Sequence, residues 1–279
     1  MQNTIAKTIS ISGVGIHSGR EVTANLMPAA ADSGILFKTS DGSSVEAKFD
    51  NVTSTNMSTK LSNGVIEVDV VEHLMAALWA SNIDNLIIHL NSSEVPILDG
   101  SSVEWIRQIK QTEITQQNSE RKILKVKKSV SISDGDKYVE ISPNNKDGIL
   151  IDLSIHFDHP AIGMQQVSFD SSQHSFEELF APARTFGFMK ELDYLHSNGL
   201  ALGASLENCI GLDETGIANP EGLRFNDEFV RHKVLDCVGD LFLSGYQLNC
   251  KVRAHKSGHK LNNIVLRQMF SGQQNYVIE

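Results

Sequence analysis

Along this chain the spacing of hydrophobic positions alternates between a strand-like period of two and a helical period of three to four. Short alternating runs at 8–12, 21–27, 34–38 and 45–49 are separated by Gly13, Gly15, Gly19 and Pro28, which predicts antiparallel strands joined by turns. Asn63-Gly64, between apolar runs at 59–61 and 65–71, predicts a tight hairpin. Residues 72–80 are rich in helix formers; a strand at 85–90, a loop at 96–102 and a helix at 103–111 follow.

Residues 112–119 are polar and aperiodic, the signature of a linker. Strands are then predicted at 123–132, 138–142, 149–157 and 166–169, and helices at 176–180 and 189–196, the second stopped by Asn198-Gly199. A strand near 206–212 precedes a long helix whose apolar residues, from Phe229 to Phe242, recur every three or four positions. Asn226 or Asp227 is placed to cap that helix and Gly245 to end it, after which come a strand at 247–253 and a helix at 261–270.

The two halves repeat one order: strands, a helix opening on Val-x-His, a strand, a short Gly-Ser loop and a last helix. Val71-Glu72-His73 answers Val230-Arg231-His232, and Asp99-Gly-Ser101 answers Lys256-Ser-Gly-His259. The expected fold class is therefore α+β, with two domains of similar topology, each a mainly antiparallel sheet carrying two helices. The boundaries are 1–111 and 123–279, with a linker at 112–122.

Charge narrows the function classes. A formal net charge of -10 over 279 residues excludes a basic nucleic-acid surface, and the one lysine-rich run, 122–128, interleaves Lys with Ile, Leu and Val like a half-exposed strand. No run of about 18 apolar residues exists and the N-terminus lacks a signal-peptide core, so no membrane insertion and a cytoplasmic location are expected. Cys209, Cys237 and Cys250 are odd in number and form no CxxC pair; they read as small buried apolar residues.

Candidate chemistry sits on the long helix, where His232, Asp236 and Asp240 rise in one row at i, i+4 and i+8. An imidazole and a carboxylate one turn apart suit Zn²⁺, although the same spacing serves equally for a solvated polar face. If the two Val-x-His helices pack together, His73 supplies a third ligand and a fourth position stays open. Glu72 is then a general base, or an acid that merely favours a helix N-terminus. His259, in a loop entering a helix, gains a donor's role only if Asp240 accepts its N–H and keeps it protonated. Two rival readings are a zinc amidohydrolase acting on another amide, such as a peptide, and a non-catalytic sugar-nucleotide or lipid-binding module. The absence of His-Glu-x-x-His speaks against the first, and the open coordination position against the second.

Several motifs in one order carry a resemblance: Val71-Glu-His-Leu-Met-Ala-Ala-Leu78, Ile83-Asp-Asn85, Val95-Pro-Ile-Leu-Asp-Gly-Ser101, Ala183-Arg-Thr-Phe-Gly-Phe188, Gly222-Leu-Arg-Phe225, Gly239-Asp240 and Ser257-Gly-His259. Together with the segment from Asp227 to Asp236 and Leu261-Asn-Asn263, they resemble the zinc-dependent UDP-3-O-acyl-N-acetylglucosamine deacetylases of Gram-negative lipid A synthesis. The likeness runs from about residue 2 to 270 and includes the opening Ser12-Gly-Val-Gly-Ile-His17.

The resemblance implies two domains stacked as a β-α-α-β sandwich around the site, with zinc on His73, His232 and Asp236, Glu72 as base, and His259 as acid oriented by Asp240. It further implies Thr185 and Lys233 beside the carbonyl oxygen, and Lys137 towards the nucleotide end. An inserted apolar segment near 188–205 would guide the acyl chain, with Phe186, Phe188, Leu192, Leu195, Leu200 and Leu202 along the passage. The implied partner is a small acylated UDP-glucosamine derivative bound by a monomer. Where some members carry cysteine after Asn56-Met57, this chain has Ser58.

Overall fold

In the computed structural model, which describes residues 1–279, strand Glu21–Pro28 shows why the alternation reads as it does: every second side chain is buried. It lies inside a five-stranded sheet in the order Ile9–Val14, Glu21–Pro28, Leu86–Leu90, Ile35–Thr39, Ser44–Glu46. The Asn63-Gly64 hairpin forms between Lys60–Ser62 and Glu67–Val68, with Gly64 at φ 83°, a value that costs a residue without Cβ little.

The second half builds a seven-stranded sheet around Gln247–His255. That strand runs parallel to Ile123–Val126 and Ile149–Phe157 and antiparallel to Lys137–Ser142. The sheet is thus mixed, and Ile149–Phe157 pairs on its other side with Gly163–Asp170.

Six α-helices accompany the sheets: α1 (Glu72–Ala80), α2 (Val103–Lys110), α3 (Phe176–Leu179), α4 (Leu192–Ser197), α5 (Glu228–Phe242) and α6 (His259–Phe270). Helices α1 and α5 pack on each other, α2 leans on the first sheet and α5 and α6 on the second, so the chain is an α+β sandwich with α1 and α5 at its centre, while α4 has no buried residue. Sixty buried apolar residues form one cluster across both halves, which therefore share a core.

Helix α1 is enclosed on all sides from Glu72 to Leu78, so it shows no polar face. Helix α5 opens at Glu228, just after the expected cap and two residues ahead of Val230-Arg231-His232. The expected linker contains a strand, Ile114–Gln116, which pairs antiparallel with Asn3–Ile5. All three of its residues are exposed, so the strand is held by backbone bonds and leaves no hydrophobic alternation. At α5 the residue before the first turn is Asp227, whose carboxylate takes Arg231 Nε at 2.6 Å and makes no cap bond. No helix is long and apolar enough to cross a membrane.

Candidate active site

The site begins where α1 crosses α5. A Cβ on Gly239 would overlap the carbonyl oxygen of Glu72, so only glycine lets the backbones of these helices come this close. The crossing carries His73 to the face of α5 that bears His232 and Asp236.

His73 Nε2 lies 3.5 Å from Asp236 Oδ1, and His232 Nε2 lies 3.3 Å from the same oxygen. The two imidazoles stand edge to face with centroids 4.9 Å apart. All three residues are buried, which excludes the solvated-face reading of the α5 row. Ligands about 2.0–2.1 Å from a tetrahedral ion stand about 3.4 Å from each other, so these separations fit a shared zinc. Asp236 Oδ1 and His73 Nδ1 are moreover buried without a hydrogen-bond partner. Orphaned polar atoms of this kind are costly unless something else satisfies them.

The surroundings prepare the ligands. Burial pushes the His232 imidazole down to about 3, with Asp236 opposing, so its ring is neutral and keeps a lone pair. Its Nδ1–H donates to the Ala183 carbonyl at 3.1 Å, which leaves Nε2 for an ion. That carbonyl is fixed because the neighbouring Arg184 is clamped to Glu228, Nε to Oε1 at 2.9 Å, with both side chains buried. Burial alone would raise the Asp236 carboxyl, but the His232 imidazole and the Lys233 ammonium outweigh it and hold it well below the usual carboxylate range. Lys233 Nζ donates to Asp236 Oδ2 at 2.9 Å and lies 5.4 Å from the Phe186 ring centroid.

Two titratable groups face one another beside this cluster. Glu72 Oε1 lies 3.9 Å from His259 Nε2. Burial raises the Glu72 carboxyl to about 7, against the pull of His259 and His73. Burial would lower His259, but the charge of Asp240 and its hydrogen bond overcome this and raise the imidazole to about 10. His259 Nδ1–H donates to Asp240 Oδ2 at 2.9 Å. Any divalent cation on the neighbouring ligands would draw both values down.

A cavity of about 430 Å³ opens over these groups, and its walls include Thr185, Phe186, Phe188, Leu192 and Leu195. Glu72, His73, His232, Lys233, Asp236 and His259 also line it. Leu200 and Leu202 lie outside its lining; Leu202 instead joins residues 16–19, donating its N–H to the His17 carbonyl at 3.1 Å. Lys137 is also outside, on a hairpin whose Asp134 and Asp136 pair with Lys260 and Lys256, one residue after His259 and three before it.

Sequence reasoning missed three residues here. His17 lines the cavity; its motif, Ser12-Gly-Val-Gly-Ile-His17, was legible but gave His17 no role in the site. Cys209 also lines it and is only half-buried, a correction to its reading as a core residue, while burial keeps its thiol up at about 12. Thr59 donates its backbone N–H to Glu72 and its hydroxyl to Asp240, partners 13 and 181 positions away. Only the hairpin that carries Thr59 was visible in the sequence.

Comparison with known proteins identifies a family across nearly the whole chain. The family model described as UDP-3-O-acyl N-acetylglycosamine deacetylase matches residues 2–271. A UDP-3-O-acyl-N-acetylglucosamine deacetylase of Geotalea uraniireducens is 45% identical over 273 residues, covering 97% of this chain and 88% of that protein. The enzyme of the same name from Pseudoalteromonas translucida is 45% identical, covering 97% and 90%. That of Acinetobacter baumannii (strain SDF) is 44% identical, covering 99% and 93%. With the match spanning both halves that build the site, the chain belongs to the UDP-3-O-acyl N-acetylglycosamine deacetylase family.

Proposed function

We propose that this chain hydrolyses the N-acetyl amide of a UDP-3-O-acyl-N-acetylglucosamine, an early step of lipid A biosynthesis, with Glu72 as general base and His259 as general acid. The observation that carries the reading is a proton acceptor and a proton donor 3.9 Å apart beside three metal-ligand side chains on a largely apolar cavity.

His73, His232 and Asp236 would hold zinc, which when bound polarises the acetamide carbonyl and lowers the pKa of the attacking water. Glu72 takes a proton from that water as its oxygen bonds to the carbonyl carbon. The Lys233 ammonium and the Thr185 hydroxyl, both on the cavity wall, steady the negative charge on the carbonyl oxygen. As the C–N bond breaks, His259 Nε2 gives its proton to the departing nitrogen, leaving acetate and the free 2-amino sugar nucleotide. Lys137, which has no ion-pair partner of its own, would meet the diphosphate end. One chain supplies every group of the site, so a monomer suffices, and a UDP-sugar substrate places the work in the cytoplasm.

Asp240→Asn tests the assignment of the acid. His259 donates only while protonated, so activity falls as pH rises through its pKa. Removing the Asp240 charge lowers that pKa, and the basic limb of the pH–rate profile should move to lower pH. A limb that stays in place would remove Asp240 from this role.

The substrate class is tested by acetate release from the acylated UDP-sugar beside its analogue lacking the acyl chain. Burying even about four methylenes at about 0.8 kcal/mol each corresponds to about a two-hundredfold preference in kcat/KM. Equal rates would mean that Phe188, Leu192 and Leu195 are packing and that no acyl chain lies along them.

A further inference from the structure

Thr59 is 1% exposed, and its polar groups reach the two sides of the proton-transfer apparatus. Its N–H donates to Glu72 Oε2 at 3.0 Å, and its carbonyl accepts from Val71, just before α1, at 3.3 Å. Its hydroxyl donates to Asp240 Oδ1 at 2.6 Å. The other Asp240 oxygen accepts from His259 Nδ1 and from Asn262 Nδ2, each at 2.9 Å. A closed ring therefore runs from Thr59 to Glu72, across 3.9 Å to His259, through Asp240 and back to Thr59.

From this ring we infer that Thr59 is a positioning residue for the deacetylation, holding Glu72 through its backbone and the Asp240–His259 pair through its hydroxyl. The inference rests on the reading of Glu72 as base and His259 as acid. The two roles of Thr59 separate chemically. The N–H survives any substitution except proline, so Glu72 keeps its anchor in a variant that lacks the hydroxyl. Asp240 then loses one of its three donors, its carboxylate is freer to turn about χ2, and His259 turns with it. The effect falls on the reacting geometry and not on substrate binding.

The experiment compares Thr59→Val, which keeps the shape and drops the donor, with Thr59→Ser, which keeps the donor, each alone and combined with Asp240→Ala. A hydrogen bond to a charged group is lost, so kcat of Thr59→Val should fall by about tenfold or more, with KM within about twofold and Thr59→Ser within about threefold of the parent chain. In the Asp240→Ala background the valine substitution should cost less than about threefold, because its target is gone. In the metal-free protein the His259 Nδ1–H resonance should move or broaden in Thr59→Val and stay in place in Thr59→Ser.

Parental turnover in Thr59→Val overturns the inference. So does a serine variant as slow as the valine one, or an undiminished valine effect in the Asp240→Ala background. Should Thr59→Val not fold, Thr59→Cys, of similar size and a poor donor, takes its place with the same thresholds. Full activity in both Asp240→Asn and His259→Gln would sink the underlying reading first; loss in both with none in Thr59→Val sinks this inference alone.

Discussion

Glu72→Gln is expected to bind about one zinc ion per chain and to release acetate about 10²–10⁴-fold more slowly than the parent, because general-base transfer is worth about that much. Glutamine preserves the shape and can still accept from the Thr59 N–H, so the cavity and the ligand cluster stay intact. What it lacks is a basic oxygen. Burial raises the carboxyl to about 7 without the metal, and a bound cation would draw that value down, so at neutral pH the carboxyl is ionised and free to take a proton. Metal content by atomic absorption and turnover by acetate assay check the expectation together. Loss of zinc along with activity would make Glu72 a ligand instead of a base; full activity with the metal in place would move the base elsewhere.

Removing the metal should have the other large effect. Without an ion the pKa of water returns from about 7 to 15.7, so a chelator should take turnover to the assay floor and zinc should restore it. The unligated cluster also leaves Asp236 Oδ1 buried without a hydrogen-bond partner, so the metal-free chain should melt at a lower temperature than the loaded one. Activity and melting temperature that both ignore the chelator would show that His73, His232 and Asp236 do not hold a working ion.

The features legible in the sequence were those whose geometry is local. Helical rise alone puts His232 and Asp236 one turn apart, whatever the rest of the chain does. Alternation at 21–27 and at 149–157 marked strands because each sheet buries one face. The shared order of the halves placed His73 and His232 at equivalent helix starts; α1 does begin at Glu72, whereas α5 begins at Glu228 and carries His232 in its second turn. Where the local signal was blank, the reading was incomplete: Ile114–Gln116 is a strand held by backbone bonds, with no buried side chain to announce it.

Residue identity along the chain thus determined the α+β elements, the doubled order, the ligand types and the chemistry they permit. Only the tertiary structure decided that they meet. Gly239 against Glu72 sets how closely α1 and α5 approach, and the same fold brings Thr59 to Asp240 and His17 and Cys209 to the cavity wall. The pKa values that separate base from acid also belong to the fold: they come from burial and from neighbours such as Asp240 beside His259, and neither exists until the chain has closed around them.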